Sequence, residues 1–164
     1  ADRVISSGYR TPNYQYEALI EAVREARTER PRIQLDLFCY GDTDEPYWQR
    51  IVAIAGNESW VHVHHDVAET EWLHELQQSS LYVRNTARDS YGVAVAEALY
   101  MGVPAMATQV CDRAAGALLY QPDDRSALVE GILTLLGGPR ERVPLDVSDA
   151  MAGYSTVLGL LGDP

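Results

Sequence analysis

LYVRNTARDSYGVAVAEALYMGVPAMAT, residues 81–108, is the stretch that decides the predicted fold. The apolar segment at 81–85 predicts a strand, and a polar loop separates it from a helix that is expected to begin near 90–92. The helix interior, 93–99, is apolar except for Glu97. A helix of this composition is expected to be buried on most of its sides. A second apolar strand is predicted at 104–107, and this order of elements is typical of a parallel α/β sheet.

The same alternation of elements extends in both directions from this stretch. Short apolar segments predict strands at 3–7, 33–40, 60–63, 81–85, 104–107 and 117–120. Longer periodic segments predict helices near 13–30, 45–56, 69–78, 91–101 and 124–136. Thr11 and Pro12 are expected to begin the first helix, as a cap and a first-turn proline. We therefore predict an α/β fold with a doubly wound, Rossmann-like, mostly parallel sheet flanked by helices.

The domain organisation follows from the one clear break in the chain of 164 residues. Residues 1–138 are expected to form a single domain. The glycine- and proline-containing segment 137–144 separates this domain from 139–164, which is expected to be a linker and a C-terminal helix. An apolar stripe from 147 to 161 should pack on this domain or across an interdomain contact.

Composition excludes several classes of function. The net charge is −11, and all 13 basic residues are arginine, so a general nucleic-acid surface is not expected. No apolar run is long enough to span a membrane, and no signal-peptide pattern opens the chain, which favours a cytoplasmic location. Cys39 and Cys111 are far apart in sequence and are expected to be reduced thiols.

Glu97 indicates a ligand site, because burying a lone carboxylate in an apolar helix costs roughly several kcal/mol unless something pairs with it or uses it. In an open α/β sheet, ligands bind outside the carboxyl ends of the strands. The helix N-terminus at Gly92 offers backbone N–H groups to a phosphate, and from there Glu97 could reach a ribose hydroxyl. Asp89 lies on the same rim, with Arg84 and Arg88 close in sequence.

The pattern D-S-Y-G-x4-E-A-L-x2-G-x-P at 89–104 resembles the signature of the GT-B retaining glycosyltransferases of family 4, or group 1. In that signature two acids are separated by seven residues, as Asp89 and Glu97 are here. Residues 8–21 resemble the family's first βα unit, and 41–42 resemble the loop that follows its second strand. Residues 122–124 resemble the segment that precedes the last helix of the family's domain. The similarity extends over roughly 3–136, which corresponds to the C-terminal, donor-binding domain of a GT-B enzyme.

This resemblance implies a donor-binding domain that transfers a sugar from a nucleoside diphosphate sugar to an unknown acceptor with retention of configuration. The partners implied are the nucleotide-sugar donor and an N-terminal acceptor-binding domain that this chain lacks, which would also make any peripheral membrane contact. The fragment alone is expected to be inactive, and neither a cofactor nor an essential metal is expected. A non-catalytic nucleotide-sugar-binding module and a GT-B epimerase-like enzyme remain as alternatives.

The resemblance also implies roles for particular residues. Asp89 and Glu97 are the predicted catalytic pair, with Glu97 on the ribose and Asp89 on the donor sugar. The predicted donor-binding residues are Gly8, Arg10, Gly41, Asp42, Ser90, Tyr91, Gly92 and Val93. Further candidates are Arg84, Arg88, His64 and Arg113. His62 and His64 share a strand face, but no carboxylate or cysteine lies at ligand spacing, so no metal site is predicted.

The chain departs from the family pattern after the first predicted strand. The family usually has an arginine directly after the glycine and a lysine about five residues later, and both grip the donor diphosphate. This chain has Gly8-Tyr9-Arg10 and then Asn13-Tyr14. Arg10 is expected to replace the arginine one residue later, whereas the lysine has no evident substitute.

Overall fold

The computed structural model describes residues 2–138, in which six parallel strands form one sheet. The strands are β1 (Arg3–Arg10), β2 (Gln34–Thr43), β3 (Val61–His65), β4 (Leu81–Arg84), β5 (Ala105–Thr108) and β6 (Leu118–Tyr120). Their spatial order is β3-β2-β1-β4-β5-β6, and every neighbouring pair is parallel. The order reverses between β1 and β4, which confirms the predicted doubly wound arrangement.

Five α-helices cover the two faces of the sheet. They are α1 (Tyr16–Ala26), α2 (Glu45–Gly56), α3 (Glu69–Gln78), α4 (Val93–Tyr100) and α5 (Arg125–Gly137). Helices α1, α2 and α5 enclose the larger apolar core on one face, and α3 and α4 enclose a smaller one on the other. None of these helices is long and apolar enough to cross a membrane.

Alternation along the strands divides their side chains between the two cores. In β1, Val4 belongs to the larger core and Ile5 to the smaller. The same alternation continues to the carboxyl end of β1, where Gly8 lies under the Tyr14 ring on the larger-core face. Ser7 and Tyr9 therefore emerge on the opposite face, beside α3 and α4.

The start of the first helix differs from the sequence prediction. Strand β1 extends to Arg10 instead of ending at 7, and Pro12–Tyr14 form a 3-10 turn. Gln15 then adopts a left-handed conformation with φ 46°, and α1 begins only after it. Thr11 makes no side-chain cap hydrogen bond. The predicted cap at Thr11 and Pro12 therefore starts a separate turn, which carries Tyr14 over the end of β1.

Helix α4 is less enclosed than the sequence predicts. Within it only Val95 and Ala98 are buried, and both pack into the smaller core. Most other residues of α4 are half-buried instead of fully enclosed, because among residues 2–138 only α3 shares this face of the sheet with α4. The predicted segment 139–164, with its apolar stripe, lies outside the described residues.

Candidate functional site

A cavity of about 540 Å³ opens where β1, β2 and β4 end at their carboxyl edge. It lies on the smaller-core face of the sheet, next to the point between β1 and β4 where the strand order reverses. Ligands of doubly wound folds bind at such a switch point. The residues that line it are Ser7, Tyr9, Tyr14, Phe38, Cys39, Tyr40, Val67, Glu69, Trp72, Arg84, Asp89, Ser90, Gly92, Val93, Ala94 and Glu97.

The N-terminus of α4 forms one wall of this cavity. Gly92 caps the helix with φ 78°, a left-handed conformation that favours glycine. A Cβ atom at Gly92 would lie 2.5 Å from Nη1 of Arg113, so the close approach of the loop also requires glycine. Val93 and Ala94 follow in the cavity wall. The N–H groups of a helix's first turn have no partner within the helix, which suits this wall to bind an anion.

Glu97 lies one turn further along the same side of α4. Glu97 is the fourth residue after Val93, so the two side chains share one face of the helix, and both line the cavity. The Glu97 side chain is half-buried, and Nε1 of Trp72 donates a hydrogen bond to its Oε2 at 3.4 Å. The predicted neighbourhood of a carboxylate and a helix N-terminus is thus present in one wall.

Asp89 lies at the centre of a buried charge cluster. Arg84 donates to both of its carboxylate oxygens at 2.8 and 3.2 Å, and Nη1 of Arg113 donates to Oδ2 at 2.6 Å. The backbone N–H of Ser90 adds a further hydrogen bond at 3.0 Å. Burial alone would raise the pKa of Asp89, but the hydrogen bonds from Arg84 and Arg113 outweigh it and lower the pKa to about 2. Asp89 is therefore ionised at neutral pH.

Arg113 reaches this cluster from the loop after β5. Its side chain is 1% exposed, and it donates to the carbonyl oxygens of Thr108 and Tyr91 as well as to Asp89. These bonds connect the end of β5 to the loop that precedes α4. Arg113 is not among the residues that line the cavity, so it positions the wall from behind.

Arg84 is the member of the cluster that lines the cavity. Besides its two bonds to Asp89, it donates through Nη1 to the carbonyl oxygen of Ser7 at 3.2 Å. Its guanidinium carbon lies 5.0 Å from the centre of the Tyr14 ring, which is within the range of a cation–π contact. Within residues 2–138, it is the one basic side chain that lines this cavity.

Arg10 does not reach the cavity. It shares the larger-core face of β1 with Gly8, and its guanidinium donates to Asp66 and to the carbonyl of Cys39. It also lies 5.9 Å from the ring of Trp48. Strand β1 continues to residue 10, although its pairing with β2 shifts register between Tyr9 and Arg10, and the side chain is therefore turned to the opposite side of the sheet from Tyr9. Its predicted role as a substitute for the family's arginine has no support from this position.

The histidines are also placed away from the cavity. His64 stacks on Phe38 at 4.2 Å between ring centres, and its Nε2 pairs with Asp36. Phe38 therefore separates His64 from the cavity that Phe38 itself lines. His65 packs against Trp48. Among the residues the structure describes, no group of three His, Cys, Asp or Glu side chains could hold a metal ion.

The remaining predicted residues surround the site without all reaching it. Ser90 lines the cavity, and Tyr91 supplies the carbonyl that Arg113 binds. Arg88 is exposed, and Asn13 holds its backbone through two hydrogen bonds. Gly41 adopts φ 65° near the end of β2, and its N–H donates to Asp66. Asp42 is exposed. Neither Gly41 nor Asp42 lines the cavity.

Aromatic side chains line much of the cavity, and these were missed in the sequence. Tyr9 contacts both Tyr14 and Tyr40, and Trp72 packs against Phe38. The alternation of side chains along the strands could have indicated them. One face of the sheet carries residues 7 and 9 of β1 together with residues 38 and 40 of β2. Trp72 lines the cavity as well.

A six-stranded parallel sheet whose strand order reverses beside a cavity at the carboxyl edge defines the class of Rossmann-like α/β domains. Residues 2–137 match the family described as glycosyl transferases group 1, so the chain belongs to the group 1 glycosyl transferases. No curated protein sequence matches the chain.

Solved structures of similar fold belong to GT-B enzymes. A UDP-forming α,α-trehalose-phosphate synthase from Burkholderia xenovorans matches with a TM-score of 0.77 and 16% identity, over 92% of this chain and 40% of that one. An α,α-trehalose 6-phosphate synthase from Burkholderia multivorans matches with a TM-score of 0.73 and 16% identity, over 96% of this chain and 39% of that one. The pneumococcal O-GlcNAc transferase GtfA, in complex with UDP and GlcNAc, matches with a TM-score of 0.69 and 17% identity, over 99% of this chain and 36% of that one. The chain thus spans about two-fifths of the length of these proteins.

Proposed function

We propose that this chain is the donor-binding domain of a glycosyltransferase that transfers a sugar from a nucleoside diphosphate sugar with retention of configuration. The observation that carries the proposal is the wall formed by α4, in which Gly92 and Val93 begin the helix and Glu97 follows one turn later. The family match and the switch-point position of the cavity support it.

The donor would lie along this wall. The diphosphate would accept hydrogen bonds from the N–H groups at Gly92 and Val93, where the helix dipole favours negative charge. One helical turn spans about 5.4 Å, which places Glu97 at the right separation to accept hydrogen bonds from ribose hydroxyls. Phe38 and Trp72 offer an apolar surface for a base.

The same wall would assist the chemical step. Charge builds up on the leaving diphosphate as the bond to the sugar breaks, and N–H groups already aimed at that position stabilise it without reorganising. Asp89 lines the cavity beside Gly92, from where the resemblance implies a contact to the donor sugar. The resemblance implies no essential metal for this step.

The acceptor would be bound by a domain outside this chain. GT-B enzymes bind donor and acceptor in two domains, and the chain spans about 40% of the length of the first matching structure. We expect this chain alone to bind nucleoside diphosphates and to transfer nothing. Transfer to a simple acceptor by the 164 residues alone would contradict the two-domain proposal.

Calorimetry of the chain against UDP-, GDP- and ADP-sugars tests the donor site, with Glu97→Gln as the decisive variant. Loss of the charge should weaken binding by about 1.5–3 kcal/mol, the range for hydrogen bonds to a charged group. Folding stability should stay level, because the glutamine side chain keeps an oxygen that accepts the hydrogen bond from Trp72. Glu130→Gln, on the exposed side of α5, is the matched control. Unchanged affinity together with a loss of stability would show that Glu97 is structural.

A non-catalytic nucleotide-sugar-binding module is the second candidate. The observation that favours it is the placement of Tyr9 and Tyr14 near the positions where the family has its two cations, with Arg10 turned away. Donor hydrolysis and transfer by the full-length protein separate the two proposals. Binding without any turnover would favour the module.

A further inference from the structure

We propose that Arg84, at the end of β4, is the residue of this chain that binds the diphosphate of the donor, in place of cations supplied after β1. The inference rests on the proposed donor site and assigns its cation. Arg84 lines the cavity with Gly92 and Val93, and no other basic side chain of the described residues does so.

The charges around the cavity make such a group necessary. Glu69, Asp89 and Glu97 all line it, and the whole chain carries a net charge of −11. A diphosphate entering this acidic surface must be attracted by a local positive charge and not by the overall field. The buried cluster supplies one, since Arg84 and Arg113 together outnumber the single carboxylate of Asp89 by one charge.

Arg84 is held in a fixed orientation at the cavity wall. Asp89 binds it in a two-pronged contact, and the Ser7 carbonyl accepts from Nη1. The Tyr14 ring lies against its guanidinium. A preorganised guanidinium loses little side-chain entropy when it binds a phosphate, and its planar fork suits phosphate oxygens.

Tyrosines stand at the sequence positions where the resemblance implies the family's two cations. Tyr9 lines the cavity and is 41% exposed, and Tyr14 is buried between Gly8 and Arg84. Neither side chain carries a positive charge. Tyr14 instead presents an aromatic face that stabilises the cation of Arg84, so the positive charge has moved from the β1 loop to β4.

The test compares a nucleoside diphosphate with its nucleoside, using whichever of UDP, GDP and ADP the chain binds best. Arg84→Gln should weaken diphosphate binding about tenfold or more, the loss expected for a charged hydrogen bond. Binding of the matched nucleoside should change by less than about twofold, because the nucleoside has no phosphate. Equal loss for both ligands, or loss for neither, would overturn the assignment.

Two further variants keep the test decisive if Arg84→Gln unfolds. Arg84→Lys keeps the positive charge beside Asp89 but loses the planar fork, so diphosphate affinity should fall severalfold while nucleoside affinity is retained. Tyr9→Arg introduces a cation on the exposed rim of the cavity. It should restore part of the diphosphate affinity of either Arg84 variant. The proposal is contradicted if Tyr9→Arg restores no affinity and Arg84→Lys binds the diphosphate as tightly as the unsubstituted chain does.

Arg30→Gln is the matched control. Arg30 also makes a two-pronged contact with an aspartate, Asp2, at 2.7 and 3.0 Å, but at the amino end of β1. Its loss should leave the preference for diphosphate over nucleoside unchanged. If the unsubstituted chain binds neither ligand, the proposed donor site itself fails. If it binds both with equal affinity, the donor site stands and the role of Arg84 fails.

Discussion

The loops that leave the neighbouring strands β1 and β4 face the same cavity, but they are held in place by different forces. The first, residues 11–15, is ordered by packing, because the Tyr14 ring lies directly over Gly8. The second, residues 85–92, is ordered by the buried ion pairs of Asp89. Packing thus dominates on one side of the cavity and charge on the other, and two hydrogen bonds between Asn13 and the backbone of Arg88 join the two loops.

This difference ties stability to ligand binding in the second loop but not in the first. Arg84 both holds Asp89 in place and faces the cavity, so a change in the cluster should alter folding and affinity together. In the first loop the residues that fix the backbone are uncharged, and their loss should act mainly through packing. The following experiments test this distinction, in order of decreasing effect.

The largest effect is expected from Asp89→Asn. This change leaves Arg84 and Arg113 buried without their counter-charge, and breaking one partner of a buried pair costs about 3–5 kcal/mol. The free energy of unfolding in urea measures it. Glu21→Gln removes one of the two exposed glutamates that pair with Arg125 and should cost less than about 1 kcal/mol. Equal losses in the two variants would show that the cluster is no more than a surface ion pair.

The acid dependence of stability should come next in size. The pKa of Asp89 is lowered from 3.8 to about 2 in the folded chain, so its contribution is complete above the unfolded value and is lost as pH falls towards 2. A shift of this size corresponds to about 2–3 kcal/mol. Carbon-13 NMR of the Asp89 carboxyl group measures the midpoint directly. Titration at or above pH 3.8 would mean that the two arginines do not stabilise the charge.

The sequence was sufficient for the fold because local patterns carry it. Apolar segments and helical periodicity located the six strands and five α-helices of residues 2–138, since burial of one face repeats every two residues in a strand and every three to four in a helix. The position of Glu97 beside a helix N-terminus could be predicted for the same reason, because Gly92, Val93 and Glu97 lie within nine residues of Asp89.

The contacts across the site could not be predicted in this way. Arg113 is 24 residues from Asp89, and it reaches the cluster through a loop whose path depends on non-local packing. The direction of Arg10 depended on where β1 ends. A strand that stops at residue 7 leaves Arg10 in a loop, whereas the observed strand fixes it on the larger-core face. Strand ends are set by pairing with β2, which no local pattern reveals.

Gly8→Ala tests the first loop and should have an intermediate effect. A Cβ atom at Gly8 would lie about 2 Å from carbons of the Tyr14 ring, so the ring must move. Overpacking of this kind costs about 1–3 kcal/mol. Gly56→Ala, in α2, meets nothing within 4 Å and should be neutral or stabilising by up to about 1 kcal/mol. Urea unfolding of both variants gives the comparison, and equal stabilities would show that the ring does not fix the loop.

The smallest effect is expected from Trp72→Phe, which tests how far Trp72 orients Glu97 in the cavity wall. Trp72 packs against Phe38 and Tyr82, and its Nε1 donates to Glu97 at 3.4 Å. Phenylalanine keeps one aromatic ring in this position and removes the N–H donor together with the second ring of the indole. Because the hydrogen bond is long, its loss should weaken nucleoside diphosphate binding by about 0.5–1 kcal/mol, well below the effect of Glu97→Gln.

The Trp72→Phe measurement also separates two ways in which the wall could work. If Trp72 only orients Glu97, the double variant with Glu97→Gln should bind no more weakly than Glu97→Gln alone, because the orienting contact then has nothing left to orient. Independent, additive losses would mean that the Trp72 ring contacts the ligand itself, as its place in the cavity lining allows. Calorimetry of the two single variants and the double variant with one nucleoside diphosphate distinguishes these outcomes.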